Sequence, residues 1–457
     1  MSIERLTAED SVMLWPDEVW PQDIGALAIL DGGNLLDPDG RFRIEAVREA
    51  VASRLHLVPR FRQLLYEPPP RLGGPLWVDD QAFDLSHHVS VVQLSAPADE
   101  AQLLLATEQL RRRRLDRSRP LWEMWFLTGM ANQRVGMFVR THHTMADGIA
   151  GVAALASFLD IAPDTGLARA EPWAPAREPA EADLLADNIE RRRDARRRML
   201  SKLVHPVASL RNIALAWPAL HELFAEPALP STSLDRVVGP DRTIALVRGS
   251  LEEVKAVAKT HAAKVNDVLL TVIAGGLRTL LCSRGEPVEG VVLRIYVPVS
   301  LRHGQYAGAR GNSIAQMVVP LPIGLSDPVK RLQQLTAETA RRKARTRPSV
   351  GGLPTRGFAG RAMLKLIERQ RVNVESADLP GPPVPLYLAG ARVLEIFPLL
   401  PLIGKVSLGI GALSYAGQFN IAAVADRDAY PDIGIFAAGL RDDLDSLDLK
   451  LHSPAVA

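Results

Sequence analysis

The segment Thr141-His142-His143-Thr144-Met145-Ala146-Asp147-Gly148 places two adjacent histidines just ahead of an Asp-Gly pair. An imidazole titrates near pH 6.5, so histidine is suited to take a proton from an alcohol at neutral pH. Before the pair, Val135–Arg140 reads as a strand that stops at Thr141. After it, Gly148–Leu159 reads as a helix of small and apolar residues, with Asp147 as its cap and Gly148 allowing close backbone approach. A strand end, a turn and a helix start make a common seat for chemistry, because the strand fixes position and the turn exposes a side chain. Neighbouring side chains on a turn point different ways. The reading gives proton transfer to His143, a supporting hydrogen bond to His142, and shaping of the loop to Asp147.

Other chemistries fit the residues less well. His87-His88 is also a histidine pair, but no Asp-Gly follows at the same spacing, so pairing alone says little. Zinc would want a third ligand in a recognisable pattern, and the chain has no His-Glu-x-x-His and only one cysteine, Cys282. No metal is expected. No Gly-x-Ser-x-Gly elbow marks a serine hydrolase. Asp426, Asp428 and Asp432 read as a solvated turn, and Cys282 as a buried structural thiol in an apolar run.

The elements that must carry the histidines fall into two halves. The chain has 457 residues, 47% hydrophobic and 23% charged, with a formal net charge of +2. That length suits two domains, and so small a bulk charge gives no argument for nucleic-acid binding. In the first half, strands are expected at Ile24–Leu30, Val89–Leu94, Leu121–Leu127 and Arg134–Arg140, with helices at Ile44–Leu55 and Ala101–Arg112. Pro163–Pro179 reads as a linker, Glu181–Phe224 as one or two helices with a basic centre, and Pro227–Pro240 as a loop. The second half offers helices at Leu251–His261, Val265–Leu281, Asp327–Arg345 and Ile433–Leu447. Its strands are expected at Thr243–Gly249, Val291–Val299, Ser313–Leu321, Leu386–Phe397, Lys405–Tyr415 and Gln418–Val424. This predicts two α/β domains, 1–175 and 241–457, joined by a basic helical linker over 176–240. Ser2–Asp10 is acidic and no long apolar stretch follows, unlike a secretory signal. The runs Val268–Leu277 and Phe397–Gly404 are short for a membrane-spanning helix.

His-His-x-x-x-Asp-Gly is the signature of a superfamily of CoA-dependent acyltransferases that includes chloramphenicol acetyltransferase and peptide-synthetase condensation domains. Further blocks narrow the match. They are Asp116-Arg117-Ser118-Arg119-Pro120-Leu121-Trp122-Glu123, Val265-Asn266-Asp267-Val268-Leu269, Pro298-Val299-Ser300-Leu301-Arg302 and Gly311-Asn312. Leu379-Pro380-Gly381-Pro382, Leu386-Tyr387-Leu388-Ala389-Gly390 and Ser414-Tyr415-Ala416-Gly417 follow in the expected order. Over nearly its whole length the chain resembles the bacterial wax ester synthase/acyl-CoA:diacylglycerol acyltransferase family. It departs at Asp378-Leu379, where the family has Asn-Val, at Asp23-Ile24-Gly25 and at Ser233-Leu234-Asp235.

The resemblance implies two chloramphenicol-acetyltransferase-like domains, each a mixed sheet with flanking helices, with a substrate tunnel between them. It implies acyl transfer from acyl-CoA to diacylglycerol or a long-chain alcohol, with His143 as general base, no covalent acyl-enzyme and no cofactor. Asn266 and Asp267 would support the catalytic loop from the second domain, with Gly148 beside it, and Pro120, Leu121 and Trp122 would meet substrate. On the residues alone, Asn266 and Asp267 also serve as helix-capping residues and Pro120-Leu121-Trp122 as the start of a core strand. The run Arg191–Arg198 reads either as a solvated helix face or as a contact for anionic headgroups, with Met199, Leu200, Leu203 and Val207 as apolar neighbours. Arg111–Arg114 and Arg341-Arg342-Lys343 are candidates for CoA phosphates. The location expected is cytoplasmic, at the inner membrane or lipid-droplet surface. Two rivals stand beside this reading: an acyltransferase for polyketide or glycolipid hydroxyls fed by a carrier protein, and a droplet-coating lipid-binding protein.

Overall fold

A computed structural model describes residues 3–14, 16–145, 148–163, 172–204, 231–300, 314–343 and 372–452. The first part of the chain runs β1 (Glu4–Arg5), α1 (Ala8–Leu14), β2 (Asp23–Asp31), α2 (Ile44–Ala52), β3 (Gln63–Tyr66), β4 (Leu76–Asp79), β5 (Val89–Gln93), α3 (Glu100–Arg112), β6 (Trp122–Thr128), β7 (Arg134–His142), α4 (Gly148–Ala156) and α5 (Glu181–Val204). The second runs β8 (Arg242–Ser250), α6 (Leu251–Thr260), α7 (Val265–Ser283), β9 (Val292–Ser300), β10 (Ile314–Pro322), α8 (Pro328–Lys343), β11 (Val374–Pro380), β12 (Tyr387–Leu388), β13 (Ala391–Leu399), β14 (Leu408–Tyr415), β15 (Gln418–Asp426) and α9 (Ile433–His452).

Two six-stranded mixed sheets dominate, as expected. The first has the order β12-β13-β2-β7-β6-β5 and the second β10-β9-β11-β14-β15-β8. β5 runs parallel to β6, and β11 parallel to both β9 and β14; the other pairs are antiparallel. β7 lies inside the first sheet with both faces covered, so its side chains from Val135 to His142 are all buried. Side chains alternate between faces along a strand. Thus Met137 and Val139 join the core beneath α2 and α4, while Phe138 faces Leu27, Phe397 and, from the second sheet, Ile244 and Val424. The far face of the second sheet packs against α6, α7, α8 and α9. Helix α7 is long and apolar enough to cross a membrane, yet most of it is buried in this core. Gly276 makes that packing possible, because a Cβ there would stand 2.8 Å from the Phe436 carbonyl oxygen of α9.

The division at residue 241 does not hold throughout. The hairpin β12–β13 leaves the second half and completes the first sheet, Leu399 pairing with Gly25 and Val393 with Leu30. The span Leu386–Phe397, expected as one strand, turns at Ala389-Gly390, both at positive φ. Where the crossing strand passes over the second sheet, a Cβ on Gly411 would meet the Pro398 carbonyl oxygen at 2.4 Å. Arg248 of β8 reinforces the junction by pairing with Glu395 of β13 at 2.8 Å and Glu100 of α3 at 2.6 Å.

Besides α1, two features lie outside the expected elements. A small sheet, β1-β4-β3, receives the start of α5: Leu184 packs on Leu72, Leu76 and Val78, and Arg5 bonds Asp187 at 2.7 Å. The linker helix is therefore anchored to the first half at its beginning; 205–224, expected to continue it, lies outside the described residues. The other feature is β11, which its polar residues Glu375, Ser376 and Asp378 hide from a hydrophobicity reading although it sits centrally in the second sheet.

Candidate active site

The histidine turn is held from two directions. The Leu121 carbonyl, just before β6, accepts the His142 N–H at 2.9 Å, and the Gln22 carbonyl, just before β2, accepts the His143 N–H at 2.8 Å. Met145 N–H closes the turn on the His142 carbonyl at 2.9 Å. The two rings are treated differently. His142 is buried, 3% exposed, whereas His143 is partly exposed. His142 Nδ1 accepts the Thr144 backbone N–H at 3.2 Å and lies 2.9 Å from the Thr144 hydroxyl. A backbone N–H can only donate, so the neutral ring carries its proton on Nε2. Nε2 lies 3.4 Å from Asp17 Oδ1, an electrostatic contact outside hydrogen-bond geometry. His142 is thus fixed and buried, while the His143 ring is partly exposed. Asp147 lies outside the described residues, as does Gly311-Asn312; Gly148 opens α4.

An apolar cavity adjoins the turn, with about 760 Å³ of space including its open mouth. Ile24 and Thr141 line it at the strand ends that carry the histidines, and Val152, Leu155 and Leu159 line it from α4 and the residues after it. Leu379, Pro382 and Leu413 come from the second sheet and its loops, and Pro398 and Leu399 from the crossing strand. The space therefore belongs to both halves, and its aliphatic wall suits a hydrocarbon chain.

The other sequence candidates fall into different places. Trp122 is fully buried, donates Nε1–H to the Phe61 carbonyl at 2.8 Å and stacks on His88 with centroids 4.6 Å apart. Pro120 and Leu121 are buried beside it. Pro120, Leu121 and Trp122 do not line the cavity; their part is to build the core under the histidine strand. Burial keeps the His88 pKa below the ordinary histidine value, in keeping with a core role. Asp267 spends its carboxylate on its own helix, accepting the Lys264 N–H at 2.9 Å and the Thr339 hydroxyl at 2.7 Å. It braces α7 against α8 and makes no bond to the histidine turn among the described residues. Asn266, one residue earlier, has a buried Nδ2 with no hydrogen-bond partner among the described residues. Asp426 caps a turn by accepting the Gly239 and Ala429 N–H groups, and Asp432 pairs with Arg284.

The arginine clusters are largely architectural. Arg111 is buried, 3.6 Å from Asp23, and donates to the Leu400 carbonyl at 3.0 Å. Arg112 pairs with Asp241 at 2.9 Å, and Arg114 donates to the Glu18 carbonyl. Arg341 and Arg342 both bond Glu338, and Arg342 also donates to the Val318 carbonyl at 2.8 Å. Sequence reasoning missed Asp17, Gln22 and the cavity wall. A short segment before a strand carries no periodic signal, and the wall is assembled from residues far apart in the chain.

Comparison with known proteins follows the same outline. The wax ester synthase/diacylglycerol acyltransferase catalytic domain matches residues 6–269, and the C-terminal domain of that family matches residues 310–448. A probable diacylglycerol O-acyltransferase of Mycobacterium tuberculosis H37Rv is 31% identical over 440 residues, spanning 92% of this chain and 89% of the relative. Among solved structures, the wax ester synthase/diacylglycerol acyltransferase of Marinobacter aquaeolei VT8 superposes with a TM-score of 0.68 at 22% identity, covering 98% of this chain and all of the other. The first condensation domain of the calcium-dependent antibiotic synthetase gives 0.62 at 15% identity, covering 100% and 98%.

Proposed function

Because this chain belongs to the wax ester synthase/diacylglycerol acyltransferase family, we propose that it moves a long acyl group from acyl-CoA to the free hydroxyl of diacylglycerol, or to that of a long-chain alcohol. The observation that carries the reading is the aliphatic cavity, built by both halves, that Thr141 helps to line, two residues from the partly exposed His143. His143 Nδ1 is buried, and we assign the meeting with the acceptor to Nε2. Nε2 takes the hydroxyl proton as the oxygen attacks the thioester carbonyl carbon, giving a tetrahedral oxyanion. The C–S bond then breaks, the carbonyl re-forms, and the departing CoA thiolate takes the proton from His143. A negative oxygen in a dry site needs a donor, and the Asn266 amide is the one we assign to it. Condensation domains of the same fold have been solved with C8-CoA bound, which agrees with an acyl-CoA donor.

An acceptor panel tests the substrate class. With palmitoyl-CoA as donor, lipid chromatography should reveal labelled triacylglycerol from diacylglycerol and wax ester from hexadecanol. Product only on polyketide or glycolipid hydroxyls would move the assignment to the first rival. Binding of lipid without release of CoA would favour the coating protein.

Lipid acceptors live at interfaces, and α5 offers a surface for one. It exposes Leu185, Ile189 and Leu200 together with Arg192, Arg193, Arg196 and Arg197; the side chains of Met199, Leu203 and Val207 lie outside the described residues. We assign this face to anionic headgroups, and we propose that the protein works on the cytoplasmic side of the inner membrane or on lipid droplets. Changing the four arginines to serine should abolish co-sedimentation with vesicles containing phosphatidylglycerol, given about 1 kcal/mol for each basic residue near such a surface. Equal binding by the variant, or equal binding to neutral vesicles, counts against it.

A further inference from the structure

Asp17 stands in a short turn, Pro16–Glu18, between α1 and β2, outside every motif of the chain. It is only 7% exposed. Its Oδ1 accepts the Gln22 backbone N–H at 2.8 Å and faces His142 Nε2 at 3.4 Å. Its Oδ2 accepts from Arg117 Nη2 at 2.9 Å, and Arg117 reaches Glu67 with its other nitrogen at 3.3 Å. Burial alone would raise this carboxyl, but His142, Gln22 and Arg117 outweigh it and hold Asp17 far below the ordinary carboxylate range. It is an anion throughout the working range of pH.

The contacts form a short path to both histidines. Through its side chain Asp17 meets His142. Through Gln22, whose N–H it holds and whose carbonyl accepts the His143 N–H, it reaches the backbone of His143. The tautomer demanded by Thr144, with the proton on Nε2, is the one that Asp17 can accept. Arg117 explains a part of the block before β6 that no substrate contact accounts for: it steadies the carboxylate that steadies the first histidine.

We propose that Asp17 is a positioning residue for the transfer reaction, fixing the His142 ring and, through it and Gln22, the placement of His143. The competing possibility is a brace for the N-terminal segment with no bearing on catalysis. The proposal rests on His143 being the base.

The test compares Asp17→Ala, Asp17→Asn, His142→Gln and the Asp17→Ala/His142→Gln pair, with acyl-CoA kinetics and thermal unfolding recorded for each. Misplacing a reacting group by about 1 Å costs roughly 10²-fold. Asp17→Ala should therefore lower kcat by roughly 10- to 100-fold while KM for palmitoyl-CoA stays within about twofold. Asp17→Asn keeps an acceptor oxygen for His142 and Gln22 and should recover most of kcat. In the His142→Gln background the Asp17→Ala change should cost less than about threefold more, because residues acting in one network are not additive. Additive losses in the pair, an Asn variant as slow as the Ala variant, or wild-type kcat in the Ala variant would each overturn the proposal. If Asp17→Ala does not fold, Asp17→Asn and Arg117→Gln carry the comparison with His142→Gln. His143→Ala separates the two readings: if it remains active, the base assignment fails; if it is inactive while every Asp17 variant is normal, only the Asp17 proposal fails.

Discussion

His143→Ala is expected to lower kcat with palmitoyl-CoA and diacylglycerol by about 10²–10⁴-fold, the usual contribution of a positioned general base. The change should leave the fold intact, because His143 is partly exposed and its anchor to Gln22 is a backbone bond that alanine keeps. His142→Ala is a different experiment. That ring is buried against Thr144 and Asp17, so its loss opens a cavity, and stability should fall together with rate. Release of CoA, followed with a thiol reagent, is a direct readout for both. Cys282, expected to be buried, is exposed and will react too, so a Cys282→Ser background removes that signal. If His143→Ala releases CoA at the wild-type rate in that background, the assignment of the base is wrong.

The second large effect concerns stability. Glu375 lies in the middle of the second sheet, and its register neighbours are Tyr296 and Gly409. Alternation along β11 puts it on the face of Leu379, toward the first half. Among the described residues no hydrogen bond or ion pair compensates the carboxylate, and burial pushes its pKa up to about 7. Burial raises the neighbouring Tyr296 hydroxyl beyond its ordinary range as well, with the carboxylate adding to it. A raised acid pKa means that the folded protein holds the proton more tightly than the unfolded chain. Stability from this group is therefore full below about pH 4.5 and is lost as pH climbs toward and past about 7. A tenfold difference in proton affinity between the two states is worth about 1.4 kcal/mol, and the surface Glu375 still presents to solvent trims the total. Glu375→Gln should then be more stable than wild type by about 2 kcal/mol at pH 8 and nearly equal to it at pH 4.5. Urea unfolding at the two pH values measures this directly. Curves that keep the same separation at both would show that Glu375 is not the titrating group. Asp378, raised by burial to about 6, acts in the same sense, and because it is present in both proteins it cancels from the difference.

Much of this molecule was legible in its sequence where one physical rule acted alone. The strand and helix around His142-His143 declared themselves because both are apolar and meet at a polar turn. Helix α7 was plain because apolar residues surround it on nearly every side, as befits a helix with a sheet on one side and α9 on the other. What stayed hidden depended on partners far away in the chain. β11 carries a glutamate and an aspartate into a central position, which no rule of local hydrophobicity would allow. Trp122 looked equally suited to a substrate wall and to a core, and only its bond to Phe61 and its stacking on His88 decide for the core. Asp267 looked like a helix cap and is one; the role in the catalytic loop that resemblance suggested is absent from its contacts among the described residues. Asp17 was invisible because a single carboxylate in a short turn resembles any other until Arg117, Gln22 and His142 gather around it.

The crossing strand also sets an order of events in synthesis. Until Leu399 has left the ribosome, β2 has no neighbour on one side and presents a line of unpaired backbone groups. The sheet that holds both histidines is therefore finished only after most of the second half has been made. A gene split at the linker should yield an amino-terminal fragment that aggregates when expressed alone. It should become soluble when the carboxy-terminal fragment supplies the missing hairpin from a separate chain.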